Sequence, residues 1–278
     1  MGCTYKIKEG LAIYTETERK LAEYILEHKL EVVNDSAQVL GEKVNTSAAA
    51  VVRFAKRLGY KGFTAMKVDL AKDNSDHEYD FDEIMNETDS TEVLVKKSYA
   101  SNIRTLEQTY NMINVQQVEK AITMLLNCRN IYLFGVGGSG VVCDDFLHKL
   151  SRINRSVIYH HDTHIQLASS TFITNEDVAL AISYSGNTKE VNIPMAYANK
   201  VGAKTIAITK FSKNKLSKIA DVNLYVPSEE KELRLGAISS RFSSLILTDI
   251  LYFGIAKNDL ETTKERIIQT RELMNEFK

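Results

Sequence analysis

Three hydroxyls crowd into six residues of the stretch ISYSGNT: Ser183, Ser185 and Thr188, set around Gly186 directly after the apolar run DVALAIS. A hydroxyl-rich turn with a glycine, at the mouth of a buried strand, is chemistry for holding an anion. Helix N-termini present unpaired N–H groups and a partial positive charge, and hydroxyl donors complete a phosphate cradle. A second loop, FGVGGSG, follows another apolar run and puts Gly138 and Ser139 where a helix would begin. Neither loop has the glycine–lysine step of a Walker sequence. That favours one phosphate on a small molecule over a nucleoside triphosphate with magnesium.

The second loop also satisfies G-x-G-x-x-G through Gly135, Gly137 and Gly140, the fingerprint of a dinucleotide site. Two features oppose that reading. The stretch SVIYHHD places two histidines where the ribose-binding acid should stand, with Asp162 only after them. A dinucleotide fold also has no use for a second hydroxyl-rich loop two strands later. His164 and Tyr184 flank the loops and offer a donor and a ring to the rest of such a molecule. The run HHDTH concentrates three of the six histidines. His160 and His161 would point to opposite faces of a continuing strand, so no metal is expected.

The loops need strands to hold them. Five short apolar runs, IYLFGV, SVIYH, VALAIS, TIAIT and VNLYV, mostly alternate with helical stretches. Runs buried on both faces and joined by crossover helices predict a doubly wound α/β domain with a five-stranded parallel sheet. Ligands in such sheets bind at the carboxyl ends of the strands, where ISYSGNT lies. Two helices precede the sheet, one carrying Val95, Tyr99, Ile103, Leu106 and Tyr110, the next Val118, Ile122 and Leu125. Segment 229–257 has an apolar face of Leu235, Ile238, Phe242 and Leu245, read as a subunit interface. Arg241 on that segment is placed to approach a phosphosugar. Glu190, Glu229, Glu230 and Glu232 are the carboxylates available to a proton-transfer enzyme, but their spacing selects none as a base.

The front of the chain is all-α. Thr15 and Glu18 have capping-box spacing ahead of a helix with Leu21, Ala22, Ile25 and Leu26 on one face. Ser36 caps a short helix bearing Val39 and Leu40. Asn45 suits a left-handed turn, and Thr46 or Ser47 caps the next helix. There Val51, Phe54, Ala55 and Leu58 face a core, and Gly59 ends the helix. A short helix, a tight turn and a longer helix with a basic outer face make a helix-turn-helix, whose second helix enters the major groove of DNA. Ser47, Ala48 and Ala49 would lie close to bases. Arg53 would reach guanine or phosphate, and Lys56, Arg57 and Lys61 would hold phosphates.

Charge divides the chain. Residues 36–67 hold six Lys and Arg against one acid, whereas 73–90 hold eight acids and no Lys or Arg. The expected organisation is a DNA-binding domain over 1–72, an acidic linker over 73–90 and an α/β domain over 91–278. The chain has 278 residues, 44% hydrophobic, ample for two cores, and a net charge of −1. Its three cysteines match no metal spacing and fit a reduced, cytoplasmic protein. No apolar run approaches a membrane span.

The strings FGVGGS and ISYSGNTKE resemble the sugar isomerase (SIS) module. The strings TETERKLAEYILEH and VNTSAAAVVRFAKRLGYKGFTAMK resemble the helix-turn-helix of RpiR-type bacterial regulators. The order of the two modules is that family's, and the resemblance runs from about residue 10 to about residue 256. It implies a transcriptional regulator, expected to be a repressor, that binds operator DNA and senses a sugar phosphate. Carried over, Ser139, Ser183, Ser185 and Thr188 would contact the phosphate. The triplet Ala48–Ala50 departs from this by being poor in groups for base reading. The expected effector is an N-acetylhexosamine 6-phosphate such as N-acetylmannosamine 6-phosphate, with Gly138, His164, Tyr184, Gly186 and Arg241 completing the site. A homodimer or homotetramer is expected, without cofactor or membrane. The competing reading is an SIS-type aldose–ketose isomerase, for which a basic helix-turn-helix has no evident use.

Overall fold

The structure is a computed structural model that describes residues 3–11, 14–72, 85–228 and 236–276. It divides into two compact units, at His77 and Glu78. Most of the acidic stretch 73–90 and the segment 229–235, with Leu235 and three of the candidate carboxylates, lie outside the described residues.

Among its described residues the first unit has six helices: α1 (Cys3–Gly10), α2 (Glu16–Glu27), α3 (Lys29–Asn34), α4 (Ala37–Lys43), α5 (Ala48–Arg57) and α6 (Phe63–Lys72). Their starts follow from local chemistry. Thr15 and Glu18 form the capping box of α2, and the hydroxyls of Ser36 and Ser47 accept from Val39 N and Ala50 N to cap α4 and α5. Asn45 takes the left-handed turn at φ 55°. Leu21, Ile25, Leu40, Val51, Phe54, Met66 and Leu70 form the core.

The second unit opens with α7 (Thr91–Met112) and α8 (Val115–Asn127). There follow β1 (Ile131–Phe134), α9 (Gly138–Ser151), β2 (Val157–Ile158), α10 (Thr163–Ser170) and β3 (Val178–Ile182). The chain continues through α11 (Lys189–Lys200), β4 (Lys204–Lys210), α12 (Lys215–Ile219), β5 (Val222–Val226), α13 (Ser239–Ala256) and α14 (Leu260–Asn275). All strand pairs are parallel, in the order β2-β1-β3-β4-β5. Alternating side chains sort the core into two layers. Ile131, Leu133, Leu180, Ile206 and Leu224 face α8, α9 and α13. Phe134, Ala179, Ala181 and Ala207 face α11 and α12.

Two helices turn unlike faces to the core of their own unit. The apolar series of α7 points outward, with Val95 64% and Tyr99 68% exposed. Its buried residues are Thr105 and Thr109, because the face of α13 it meets is built of Ser240, Ser243 and Ser244. The Thr109 hydroxyl donates to Ser243 Oγ at 2.8 Å. The apolar character of α13 is largely spent inside the chain, where Leu247, Leu251 and Ile255 join the core; Ile238 and Phe253 stay exposed.

At the opposite edge of the sheet from the glycine loops, buried Asp177 ties β1 to β3. It accepts from Arg129 Nη2 (3.0 Å), Asn130 Nδ2 (2.9 Å), Thr174 N (2.9 Å) and Thr174 Oγ1 (3.0 Å). Burial raises its pKa, but the bonds to Arg129, Thr174 and Asn130 outweigh burial and hold it below the ordinary carboxylate range. A lowered native pKa contributes stability above the unfolded-state value, about 3.9, that is lost as pH falls below it. Asp177→Asn should therefore cost about 1.5–3 kcal/mol near neutrality. The gap between wild-type and variant melting temperatures should close below about pH 4. A gap independent of pH in calorimetric melts would contradict this assignment.

Candidate phosphate cradle and nucleic-acid interface

The strand order reverses at β1, which pairs with β2 on one side and β3 on the other. Helix α9 leaves β1 toward one face and α11 leaves β3 toward the other, so their N-termini flank a crevice at the carboxyl ends. Gly138 and Ser139 are the first two residues of α9. Thr188 is the N-cap of α11, and its hydroxyl makes no capping bond to the helix. It pairs instead with Ser183 Oγ at 3.1 Å. Ser185 Oγ accepts from Asn187 N at 3.2 Å. Ser183, Ser185, Gly186 and Thr188 thus lie in one loop between β3 and α11, at the same edge of the sheet as the start of α9.

Three residues that the sequence reading missed fix these loops. Gln166 on α10, 1% exposed, clamps Gly135 from both sides: Nε2 donates to its carbonyl at 3.0 Å and Oε1 accepts from its N–H at 3.4 Å. Tyr159 also reaches that carbonyl, at 3.4 Å. Burial pushes its phenol far above the usual range, so it stays a neutral donor. Buried Asn214 braces the other loop. Its amide donates to Thr209 Oγ1 and Ser212 O, and its oxygen accepts from Ser217 N at 2.8 Å. Gly186, at φ 64°, lies so close that a Cβ there would fall 2.1 Å from Asn214 Oδ1. Its carbonyl accepts from Leu216 N (2.9 Å) and Asn192 Nδ2 (3.2 Å).

Two of the three dinucleotide-like glycines have a packing explanation, and Gly137 takes a positive φ of 56°. A Cβ on Gly135 would meet Cys143 Sγ at 2.7 Å, and one on Gly140 would meet the Tyr159 hydroxyl at 2.7 Å. They let α9 lie tightly on β1. Gly138 brings in a third element, since a Cβ on it would stand 2.5 Å from Ala237 Cβ. The lead into α13 therefore walls the cradle, and exposed Arg241 follows Ala237 by one helical turn. His164 is exposed at the start of α10, two residues before the Gln166 clamp, with its N–H capped by Asp162 at 2.8 Å. His161 lies 3.3 Å from Asp144. Among the described residues no group of three or more His, Cys, Asp or Glu is placed to hold a metal, and no helix is long and apolar enough to cross a membrane.

In the first unit, α4, the Asn45 turn and α5 form the helix-turn-helix. Ser47, Ala49, Arg53, Lys56 and Lys61 are exposed, and Ala48 is half-buried. Arg57 is committed in part to structure: it pairs with Glu18 of α2 and its guanidinium stands 5.5 Å from the centre of the Tyr14 ring.

Two family models match: an SIS domain over residues 124–253 and a helix-turn-helix domain of the rpiR family over residues 1–77. A helix-turn-helix transcriptional regulator of Caldanaerobacter subterraneus subsp. tengcongensis is 36% identical, over 97% of this chain and 98% of its own length. The chain belongs to the RpiR family of helix-turn-helix transcriptional regulators. Another such family regulator, YbbH of Bacillus subtilis, is 32% identical over 92% of this chain and 90% of its own. Among solved structures, Vibrio vulnificus NanR complexed with ManNAc-6P superposes with a TM-score of 0.64 at 25% identity. The match covers 99% of each chain.

The Asn214 brace makes a prediction for this RpiR-family protein. Gly186→Ala adds a methyl group where φ is positive and space is absent. It should destabilise the native state by about 1–3 kcal/mol in denaturant titration. An unchanged midpoint would show that the loop moves freely off Asn214.

Proposed function

We propose that the chain is a repressor whose SIS module binds a sugar phosphate and whose α5 reads operator DNA. The observation that carries the ligand half is the pairing of two helix N-termini across the β1/β3 crevice, with Thr188 and Ser183 hydroxyls bonded to each other rather than to the helix as caps. Such an arrangement offers N–H and O–H donors to a phosphate monoester. Ser139, Ser183, Ser185 and Thr188 are its contacts, with Gly138 and Gly186 allowing close approach. His164, Tyr184 and Arg241 meet the sugar.

The effector is an N-acetylhexosamine 6-phosphate, N-acetylmannosamine 6-phosphate first among them. The full-length likeness to NanR, whose complex holds that compound, supports this reading. The protein acts as a sensor rather than an isomerase, and the full-length likeness to regulators supports that. It is cytoplasmic and works as a homodimer or homotetramer. The outward apolar series of α7 and exposed Phe253 supply surface for self-association. On DNA, Ser47, Ala48 and Ala49 approach the bases, Arg53 reads a base or a phosphate, and Lys56, Arg57 and Lys61 hold the backbone.

Ligand binding is tested by melting the full chain with N-acetylmannosamine 6-phosphate. At a hundredfold excess over Kd, stabilisation should be about 2.7 kcal/mol. The Ser183→Ala, Ser185→Ala double variant should lose it. A retained shift would place the site elsewhere, and steady turnover of the sugar phosphate would favour the isomerase. DNA binding is tested separately. Arg53→Ala and Lys56→Ala should each weaken operator binding, and Lys56→Ala should flatten the salt dependence by about one counterion. Unaltered affinity in both would move the interface off α5.

A further inference from the structure

The end of β4 carries a cation that has no role in the site described so far. Lys210 is half-buried; its backbone N–H donates to Tyr184 O at 3.0 Å, and its Nζ stands 5.7 Å from the centre of the Tyr184 ring. Strand register fixes where that places it. Ile182 pairs with Ile208, which brings Tyr184 level with Lys210. Phe134 pairs with Ala181, which brings Gly137 level with Tyr184. Side chains alternate along a strand, so Lys210 shares the face of Ile206 and Ile208. Tyr184 packs against the same core layer, the one that α9 and α13 cover. The ammonium therefore lies at the carboxyl edge on the α9 side. The Lys210 backbone is two strand spacings, about 10 Å, from β1, the strand that leads into α9.

Lys210 forms no ion pair with a carboxylate among the described residues; its one described side-chain contact is the Tyr184 ring. A ring face attracts an ammonium without neutralising it. A partly buried cation in that state gains from an oxygen that arrives with a ligand. The cradle residues themselves, Ser139, Ser183, Ser185, Gly186 and Thr188, include no cation. With the phosphate held between the β1 and β3 loops, the Tyr184 ring comes next and the Lys210 ammonium beyond it.

We propose that Lys210 is a ligand-binding residue: its ammonium donates to an acceptor oxygen at the end of the sugar phosphate remote from the phosphate, while Tyr184 stacks on the body of the sugar. This rests on the phosphosugar reading. It adds that the effector is long enough to reach from the cradle to the end of β4 and carries an acetamide or carboxylate oxygen there.

Calorimetry on the full chain separates the possibilities. The ligands are N-acetylmannosamine 6-phosphate, gluconate 6-phosphate and glycerol 3-phosphate, the last being too short to reach Lys210. Lys210→Met should weaken the tighter of the two hexose-derived ligands by about tenfold, as loss of one charged hydrogen bond requires. It should leave glycerol 3-phosphate within about twofold, and Lys210→Arg should recover part of the loss. Which hexose-derived ligand suffers the larger loss identifies the oxygen as amide or carboxylate. Unchanged affinity for both in Lys210→Met overturns the proposal. So does an equal loss for glycerol 3-phosphate, which would mean that the charge acts only as a general field. If the wild-type chain binds none of the three, the phosphosugar reading fails and takes this proposal with it. Wild-type binding with an indifferent Lys210→Met removes Lys210 alone.

Discussion

The reversal of strand order at β1 is the constraint on which the α/β unit depends. Because β1 pairs with β2 and β3 at once, α9 and α11 must leave the sheet toward opposite faces, and their loops part instead of closing over each other. The gap is polar by construction, since helix starts point unpaired N–H groups into it. Such a gap holds its shape only if the loops are fixed from outside. Gln166 fixes the first by bonding both backbone groups of Gly135, and Asn214 fixes the second from the β4–α12 connection. Both amides are almost fully buried and heavily bonded, so moving either loop would strand polar groups in the core.

Local rules made much of this legible before any coordinates. The helix starts at Thr15, Ser36 and Ser47 lie within three residues of the groups they satisfy, and caps of that kind are written in adjacent letters. The strands were legible because burial on both faces demands uninterrupted apolar runs. What stayed hidden depends on distant partners. Gln166 stands 31 residues from Gly135, and Ala237 stands 99 residues from Gly138, with nothing in either neighbourhood to announce the contact. The fingerprint Gly135-x-Gly137-x-x-Gly140 shows the converse. Its spacing is a real constraint, but the constraint is the closeness of Gly135 to Cys143 of α9 and of Gly140 to Tyr159, with Gly137 at a positive φ, rather than a dinucleotide.

Periodicity alone does not say what covers an apolar face, and α7 shows why. An apolar stripe identifies the face that leaves water, and in a single chain the natural partner is the chain's own core. Here α7 turns Thr105 and Thr109 to α13, where small hydroxyl side chains pack closely and satisfy each other. Its apolar stripe stays exposed on the second unit. On α13, Leu247, Leu251 and Ile255 go to the core while Ile238 stays exposed.

That packing also bears on how a ligand held at the cradle would act. A ligand moves an equilibrium only by its differential affinity for two arrangements of the protein. The element that both ends of the problem share is α13. It begins against Gly138 at the cradle, and Ser243, less than two turns further on, bonds Thr109 of α7, the first helix after the segment that joins the two units. Lys149 of α9 holds the middle of the same helix by bridging Asp145 and Asp249. A ligand that displaces the start of α9 or the 236–238 lead therefore works against a helix that Lys149 holds in the middle. The contact next along that helix is the buried hydroxyl pair with α7. Thr109 Oγ1 also bonds Thr105 O at 2.6 Å, so separating the pair strands the buried Ser243 hydroxyl. That favours two discrete arrangements over a graded response, which is what a transcriptional switch requires.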